Sequence, residues 1–166
     1  MKKVILTALM SCIFQFSNAQ NDIRIGGMLA YGTEVENIGI GVNAEFPIIE
    51  KLTVSPSFIY YLPKKVSGVS INWFEFNGNA NYYFLDEGNI NVYGQAGLNY
   101  TNVRLSYDGA YSGFLSSAAS DGRLGLNLGG GANFQMGGNI LPFAELKYVI
   151  IDEGQLVLAA GVKFNL

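Results

Sequence analysis

The side chains best suited to chemistry in this 166-residue chain are three glutamates, Glu45, Glu75 and Glu145. Paired carboxylates can act as general acid and general base, so the three would be catalytic candidates if they met in one site. Each lies in a different predicted strand and at a different predicted height, with Glu45 near one end, Glu145 near the middle and Glu75 towards the other end. We therefore expect them to pair with cations, and we predict no catalytic residue.

Other common catalytic and ligand-binding groups are missing from the sequence. Histidine is absent and Cys12 is the single cysteine, which excludes serine–histidine and cysteine–histidine catalysis, Cys/His zinc spacings and a disulfide within the chain. Three glycines at 129–131 resemble part of a phosphate-binding loop, but no Gly-Lys-Ser/Thr or Gly-x-Gly-x-x-Gly pattern opens a helix there. We expect no cofactor and no metal site.

The composition is unusual for a water-soluble protein. Hydrophobic residues make up 49 % of the chain and charged residues only 14 %, whereas an average domain has about 25 % charged residues. The length allows one domain. The net charge of −3 makes nucleic acid an unsuitable partner, because binding to nucleic acid depends on neutralising phosphates with Lys and Arg.

Residues 1–19 have the features of a secretory signal peptide. Lys2 and Lys3 form a positive start, an apolar stretch follows, and small residues occupy the usual cleavage spacing at 17–19. We predict export and a mature domain covering 20–166. No later stretch approaches the roughly 18 apolar residues of a membrane helix, so a membrane would have to be crossed by strands.

A second interpretation of the N-terminus stays open. The Leu-Met-Ser-Cys sequence at 9–12 resembles a lipoprotein box, which would make Cys12 a lipidated N-terminus. The apolar run continues beyond Cys12 through Phe14 and Phe16, which favours the signal peptide.

The mature chain alternates apolar and polar residues with period two, which is typical of strands. Eight such segments occur, at 22–32, 37–48, 52–62, 71–84, 90–102, 123–136, 140–150 and 155–166. Each has about the length that a tilted strand needs to cross a bilayer. The connections after every second segment are short, at 49–51, 85–89 and 137–139, while those at the other end are 33–36, 63–70, 103–122 and 151–154. This pattern predicts an all-β fold, an eight-stranded antiparallel up-and-down transmembrane barrel.

The polar face of the segments indicates which side lines the barrel interior. In a soluble barrel the polar face is outermost and rich in Lys, Glu and Asp, whereas here it is mostly Gly, Asn, Ser and Gln. The few charges on it have both signs, as an enclosed network requires. The predicted interior charge network is Arg24, Glu45, Glu75, Arg123, Glu145, Lys147 and Lys163.

The apolar face ends in aromatic residues at all eight segments. Odd-numbered segments end with tyrosine and even-numbered segments with phenylalanine, which predicts two aromatic girdles at opposite membrane interfaces. The girdle residues are Tyr31, Tyr60, Tyr100, Tyr148, Phe46, Phe84, Phe134 and Phe164. The long connection at 103–122 also carries aromatic side chains, and Tyr107, Tyr111 and Phe114 are candidates for a surface contact.

The signal segment, the eight amphipathic strands, the paired interior charges and the aromatic last strand at 162–166 together resemble the small outer-membrane β-barrel family, the OmpA/OmpX-like group. The chain looks most like the proteins that consist of an outer membrane protein beta-barrel domain alone. The usual final residue of that family is phenylalanine, whereas this chain ends with Leu166 and has Phe164 two positions earlier. The resemblance implies a Gram-negative outer membrane, with membrane lipid and the barrel-assembly machinery as partners.

Three functional hypotheses follow from this sequence. The first is a non-enzymatic barrel that presents surface loops, chiefly 103–122, for envelope integrity or for interaction with an unidentified extracellular partner. The second is a narrow porin-like channel, although eight strands leave an interior that side chains just fill. The third is a lipid-modifying enzyme, for which the usual histidine base is lacking.

Overall fold

The chain forms a closed antiparallel β-barrel in the computed structural model, which describes residues 23–66, 69–107, 120–152 and 154–166. The strands are β1 (Arg24–Gly32), β2 (Asn37–Ile49), β3 (Leu52–Val66), β4 (Val69–Glu87), β5 (Ile90–Tyr107), β6 (Ser120–Phe134), β7 (Ile140–Ile150) and β8 (Gln155–Asn165). Each strand pairs with the next, and β1 pairs with β8 to close the ring. The predicted all-β fold with eight up-and-down strands is confirmed. Among the described residues, no helix has the length and apolar character needed to cross a membrane.

Two ends of the barrel differ in their connections. We call the end with the connections at 50–51, 88–89 and 135–139 the short-turn end, and the end with the connections at 33–36 and 151–154 the loop end. The described chain starts and finishes at the short-turn end, where the Leu166 amide donates a hydrogen bond to the Ile23 carbonyl at 2.9 Å.

The strands β3 to β6 are longer than the sequence pattern predicts. Residues within the expected connections 63–70 and 103–122 pair with neighbouring strands instead, as in the Val66–Val69 and Val69–Tyr107 pairs. The alternation is interrupted by Pro-Lys-Lys at 63–65, where the β3–β4 register shifts, but it continues through Val-Arg-Leu-Ser-Tyr at 103–107, which the sequence analysis assigned to the connection. The β3–β4–β5 ladders therefore extend beyond the other strands at the loop end.

The barrel has an apolar outer wall and a mixed interior rich in polar side chains. Most strands alternate between exposed and buried positions, and the exposed positions carry large hydrophobic residues such as Leu98, Leu124 and Leu126. The buried positions carry asparagine, glutamine, glutamate and lysine, together with an apolar cluster that includes Ile59 and Val157. The exposed apolar wall and the many buried polar groups are the inverse of a soluble protein, in which apolar side chains are mostly inside.

Glycine allows close approach of two strands on the interior side. A Cβ atom added at Gly97 would collide with the carbonyl oxygen of Gly78 and with Asn79 on β4, whereas one added at Gly94 would have open space around it. Small residues at such points make room for the larger side chains that fill the interior.

Candidate functional site

Glu45 is the centre of a buried cluster near the short-turn end. Lys163 Nζ donates a hydrogen bond to Glu45 Oε2 at 2.9 Å, and both side chains are 1 % exposed. Thr53 Oγ1 donates to Glu45 Oε1 at 2.9 Å, and the Tyr83 hydroxyl donates to the same oxygen. Arg24 Nη1 lies 3.6 Å from that oxygen. A single carboxylate thus receives two neutral donors and two cations, which stabilises its charged form.

Lys163 has further partners around its ammonium group. It donates to Asn133 Oδ1 at 3.2 Å and lies 4.6 Å from the centre of the Phe143 ring and 5.2 Å from that of Tyr93. Glu145 Oε1 is 4.0 Å from its Nζ and accepts a hydrogen bond from the Tyr93 hydroxyl at 2.6 Å. The cation is therefore held by carboxylates, an amide and two aromatic faces.

Glu75 is the centre of a second buried cluster, nearer the loop end. Its Oε1 accepts hydrogen bonds from Gln155 Nε2 at 2.6 Å and the Tyr61 hydroxyl at 3.1 Å. Its Oε2 accepts from Lys147 Nζ at 3.2 Å and from Asn99 Nδ2 at 3.4 Å. The Glu75 side chain has no exposed surface and that of Lys147 is 6 % exposed, so the charges compensate each other away from water.

Amide side chains continue the second cluster into the barrel interior. Lys147 Nζ donates to Asn77 Oδ1 at 2.7 Å, and Asn127 Nδ2 donates to the same oxygen at 2.9 Å and to Asn79 Oδ1 at 2.8 Å. Asn79 Nδ2 in turn donates to Gln95 Oε1 at 3.0 Å. Polar side chains from several strands therefore contact one another across the barrel axis, as expected for an eight-stranded interior.

A cavity of about 270 Å³ lies at the loop end, beyond the Glu75 cluster. Gln155 and Thr101 belong to its inner part, Trp73 to its wall, and Asp121 and Arg123 to its rim, where Arg123 Nε lies 2.8 Å from Asp121 Oδ2. Within the part of the chain that the structure describes, no group of three acidic, histidine or cysteine side chains is placed to hold a metal ion.

Comparison with known proteins gives the family. The family model described as "Outer membrane protein beta-barrel domain" matches residues 9–165, nearly the whole chain. The chain belongs to this family. A comparison with functionally curated proteins found no match.

Solved structures with the same fold include small barrels of this kind. The N-terminal β-barrel domain of Pseudomonas aeruginosa OprF has a TM-score of 0.70 and 19 % identity over 89 % of this chain and 98 % of that one. Neisserial surface protein A has a TM-score of 0.66 and 15 % identity over 87 % and 96 %. Ail of Yersinia pestis, in complex with the heparin analogue sucrose octasulfate, has a TM-score of 0.60 and 18 % identity over 86 % and 97 %. At these identities the likeness concerns the fold alone.

Six of the seven charged residues predicted for the interior lie in the two clusters of this outer-membrane barrel. The Glu45 cluster contains Arg24, Glu45, Glu145 and Lys163, and the Glu75 cluster contains Glu75 and Lys147. Arg123 lies apart from them at the loop end, where its side chain is 41 % exposed and pairs with Asp121.

Three interior tyrosines were missed by the sequence analysis. Tyr61, Tyr83 and Tyr93 donate hydrogen bonds to Glu75, Glu45 and Glu145, respectively. Tyr61 and Tyr83 each stand next to another tyrosine, in the pairs Tyr60–Tyr61 and Tyr82–Tyr83. Successive side chains of a strand point to opposite faces, so one tyrosine of each pair must face inward. These pairs were therefore the sequence signal that could have predicted interior tyrosines.

The eight predicted girdle residues all have exposed side chains on the outer face. The tyrosines lie in the half of the barrel nearer the loop end and the phenylalanines in the half nearer the short-turn end. They are Tyr31, Tyr60, Tyr100, Tyr148, Phe46, Phe84, Phe134 and Phe164. Of the predicted contact residues, Tyr107 is the last residue of β5, and Tyr111 and Phe114 lie outside the described residues.

Charged side chains at the loop end also form exposed pairs. Lys64 Nζ donates to Glu36 Oε2 at 2.8 Å, and both side chains are exposed. The Lys64 ammonium group, through this hydrogen bond and its charge, lowers the pKa of the Glu36 carboxyl. Glu36 lies in the turn after β1 with a φ of 50°.

Proposed function

We propose that this protein is a non-enzymatic integral barrel of a Gram-negative outer membrane that presents its loop end for surface interaction or envelope integrity. The observation that carries this proposal is the packed interior, with its buried polar network, inside an apolar wall. Such a barrel is suited to be a rigid support in lipid, with variation and contact confined to its ends.

The outer wall supports insertion into lipid. Leu98 is 65 % exposed, and its paired neighbour Leu126 on β6 is 52 % exposed. A continuous apolar belt of this kind is unfavourable in water, whereas contact with the hydrocarbon core of a bilayer removes its side chains from water. The closed ladder from β1 to β8 leaves no unpaired strand edge, which is a requirement in a bilayer.

The arrangement of the carboxylates supports a structural role over a catalytic one. Glu45 and Glu75 each contact a lysine and a tyrosine hydroxyl and lie inside the barrel wall, away from any substrate at the surface. A general base needs access to the proton that it abstracts. The same packing opposes a porin-like channel, because the polar side chains contact one another across the interior.

Export and orientation are part of the proposal. Residues 1–19 would direct export as a signal peptide, and the short-turn end would face the periplasm, as in barrels with short periplasmic turns and longer outer connections. The region 103–122, with Tyr107, Tyr111 and Phe114, would then face outward. Relatives in fold described as a surface protein and as an attachment and invasion protein support a surface role.

Membrane fractionation tests the location, and gel mobility before and after heating tests the barrel. We expect the protein in the outer-membrane fraction, with a mobility shift that reports the folded barrel. Recovery as a soluble periplasmic protein without a shift would overturn the proposal.

Loop replacement tests the role. Replacing 108–119 by a short Gly-Ser linker should preserve the mobility shift but reduce cell adhesion or resistance to detergent, whereas a matched replacement of the 88–89 turn by Asn-Gly should change neither. Unchanged adhesion and detergent resistance after loop replacement would contradict a surface role. Ion conductance in planar bilayers that changes with Glu75→Gln would instead indicate a pore.

A further inference from the structure

The cavity at the loop end has an accessible lining that is largely apolar. Trp73, Val103 and Ile151 line it and are only half-buried, so their side chains offer apolar surface to the cavity. Val149 supports them from below and is 1 % exposed. It belongs to the apolar cluster of the interior, against which Trp73 and Ile151 pack. A recess of apolar side chains that faces water gains free energy when an apolar molecule displaces that water.

The polar side chains of the inner lining are already hydrogen-bonded or buried. Gln155 Nε2 donates to Glu75 Oε1 at 2.6 Å, and Thr101 Oγ1 donates to Asn99 Oδ1 at 2.7 Å. Trp73 Nε1 is buried beneath the surface of the cavity. A ligand rich in hydroxyl groups would therefore lose its hydration there without gaining hydrogen bonds in exchange.

The charged side chains lie at the rim and do not select the ligand by charge. Arg123 Nε lies 2.8 Å from Asp121 Oδ2, with side chains that are 41 % and 61 % exposed. Glu34 also lines the rim and also interacts within the chain. Exposed and mutually compensated charges contribute little to binding in water, so the apolar surface determines which molecules the cavity favours.

The volume sets the size of the ligand. A cavity of about 150 Å³ lined by apolar side chains holds one benzene molecule, and the loop-end cavity has about 270 Å³. It therefore has room for about two fused aromatic rings. Because its mouth opens between charged groups, a ligand can keep one small polar group in water while its rings are inside.

From these observations we infer that the loop-end cavity binds a small apolar molecule of about two fused rings, with contacts to Trp73, Val103 and Ile151. The inference rests on the proposed surface role, because that role places the loop end in the external medium. It deepens the role by giving a class of ligand for this end of the barrel.

Solution NMR of the protein in phospholipid nanodiscs tests this inference side chain by side chain. Trp73 is the single tryptophan of the chain, and its indole N–H and the methyl groups of Val103 and Ile151 report on the cavity. The methyl groups of Leu98 and Leu126, which are exposed on the outer wall, report on ligand dissolved in the lipid.

The probes are 2-naphthol and glucose, which have similar numbers of non-hydrogen atoms but opposite polarity, each at a free concentration fixed by dialysis. We expect 2-naphthol to shift the cavity signals saturably, half-maximal below about 1 mM. Glucose should leave them unchanged.

Substitutions connect the shifts to the cavity. Val103→Phe fills it and should raise the half-saturating concentration of 2-naphthol at least tenfold, whereas Val103→Ala enlarges it and should retain binding. Leu98→Phe, on the outer face of the same strand, is the matched control and should also retain binding. If Val103→Phe does not fold, Ile151→Phe occupies the same space. Replacing 108–119 by a Gly-Ser linker should preserve binding, since the lining residues named above lie outside that range.

Shifts that grow linearly with free 2-naphthol, or that are equal at Ile151 and Leu98, would mean that the probe only dissolves in the lipid and would overturn the inference. Saturable binding of glucose would overturn it as well. So would unchanged affinity in the filled variants or loss of binding on replacement of 108–119. These outcomes are separate from the test of the proposed function, because fractionation and the heat-induced mobility shift do not require a ligand.

Discussion

The buried Lys163–Glu45 pair provides the sharpest test of how the interior stabilises this barrel. Lys163→Met keeps an unbranched side chain of similar length but removes the ammonium group that lies 2.9 Å from Glu45 Oε2. Removing one partner of a buried ion pair typically costs about 3–5 kcal/mol, because the other charge remains buried without compensation. Arg24 Nη1, 3.6 Å from the other oxygen, retains part of the compensation, so we expect about 3 kcal/mol.

The assay is reversible urea unfolding in phospholipid vesicles, followed by Trp73 fluorescence and by the heat-induced gel shift. With a dependence on urea of about 1–3 kcal/mol per molar, a loss of about 3 kcal/mol lowers the midpoint by roughly 1–3 M. Removing the second charge as well, in Glu45→Gln with Lys163→Met, should recover stability relative to Lys163→Met alone. The reason is that the deeply buried Glu45 carboxylate is then neutralised, and only Glu145, which is 13 % exposed, keeps a charge beside the lost ammonium group.

The matched control is the exposed pair at the loop end. Lys64→Met removes an ion pair of similar length, 2.8 Å to Glu36, but with both side chains in contact with solvent. An exposed ion pair contributes about 0–1 kcal/mol to stability. The urea midpoint of Lys64→Met should therefore stay close to that of the wild type. Equal midpoints for Lys163→Met and the wild type would refute the reasoning, as would a double variant that is no more stable than Lys163→Met.

Further predictions concern the wall and the close contacts of the strands. Leu126→Lys places a charge in the middle of the apolar wall and should lower the free energy of unfolding in lipid by about 2–4 kcal/mol, whereas Met136→Lys beyond the end of β6 should cost about 0–1 kcal/mol. Similar urea midpoints for the two would mean that the outer face does not contact hydrocarbon. Gly97→Ala forces a methyl group into the backbone of β4 and should cost about 1–3 kcal/mol, whereas Gly94→Ala on the same strand meets open space and should cost less than about 1 kcal/mol. Equal effects in the urea assay would show that close approach of β4 and β5 is not what requires glycine at position 97.

The fold was predictable because a membrane barrel is encoded by local alternation. Period-two patterning assigns each side chain to a face, and the inward placement of Glu45, Glu75 and Lys147 follows from parity alone. The height of a residue along the barrel axis does not follow from this alternation, because it depends on the stagger between neighbouring strands. Arg123 shows this limit: its position in the sequence predicts an interior charge, but β6 begins at Ser120 and leaves it at the mouth.

The partners of the interior charges could not be read from the sequence for the same reason. Lys163 and Glu45 lie on β8 and β2, which flank β1 and are far apart in the sequence, and their contact passes over β1 on the interior side. Such a pair depends on the ring closing through β1, so no local spacing predicts it. Tyr83 was assigned no role because aromatic side chains are expected on the outer wall, although one residue of the Tyr82–Tyr83 pair has to point inward.

The apolar wall and the buried polar groups of this barrel also explain why a functional surface would lie at one end. In a soluble domain the core is apolar and tolerates swaps of similar volume. Here the interior also contains mutually dependent polar groups around Glu45 and Glu75, in which the loss of one partner leaves a buried charge. The outer wall must in turn remain apolar. Substitutions therefore destabilise the barrel least at the loop end, where Asp121 and Arg123 are exposed. A specific contact can change there without unfolding the barrel.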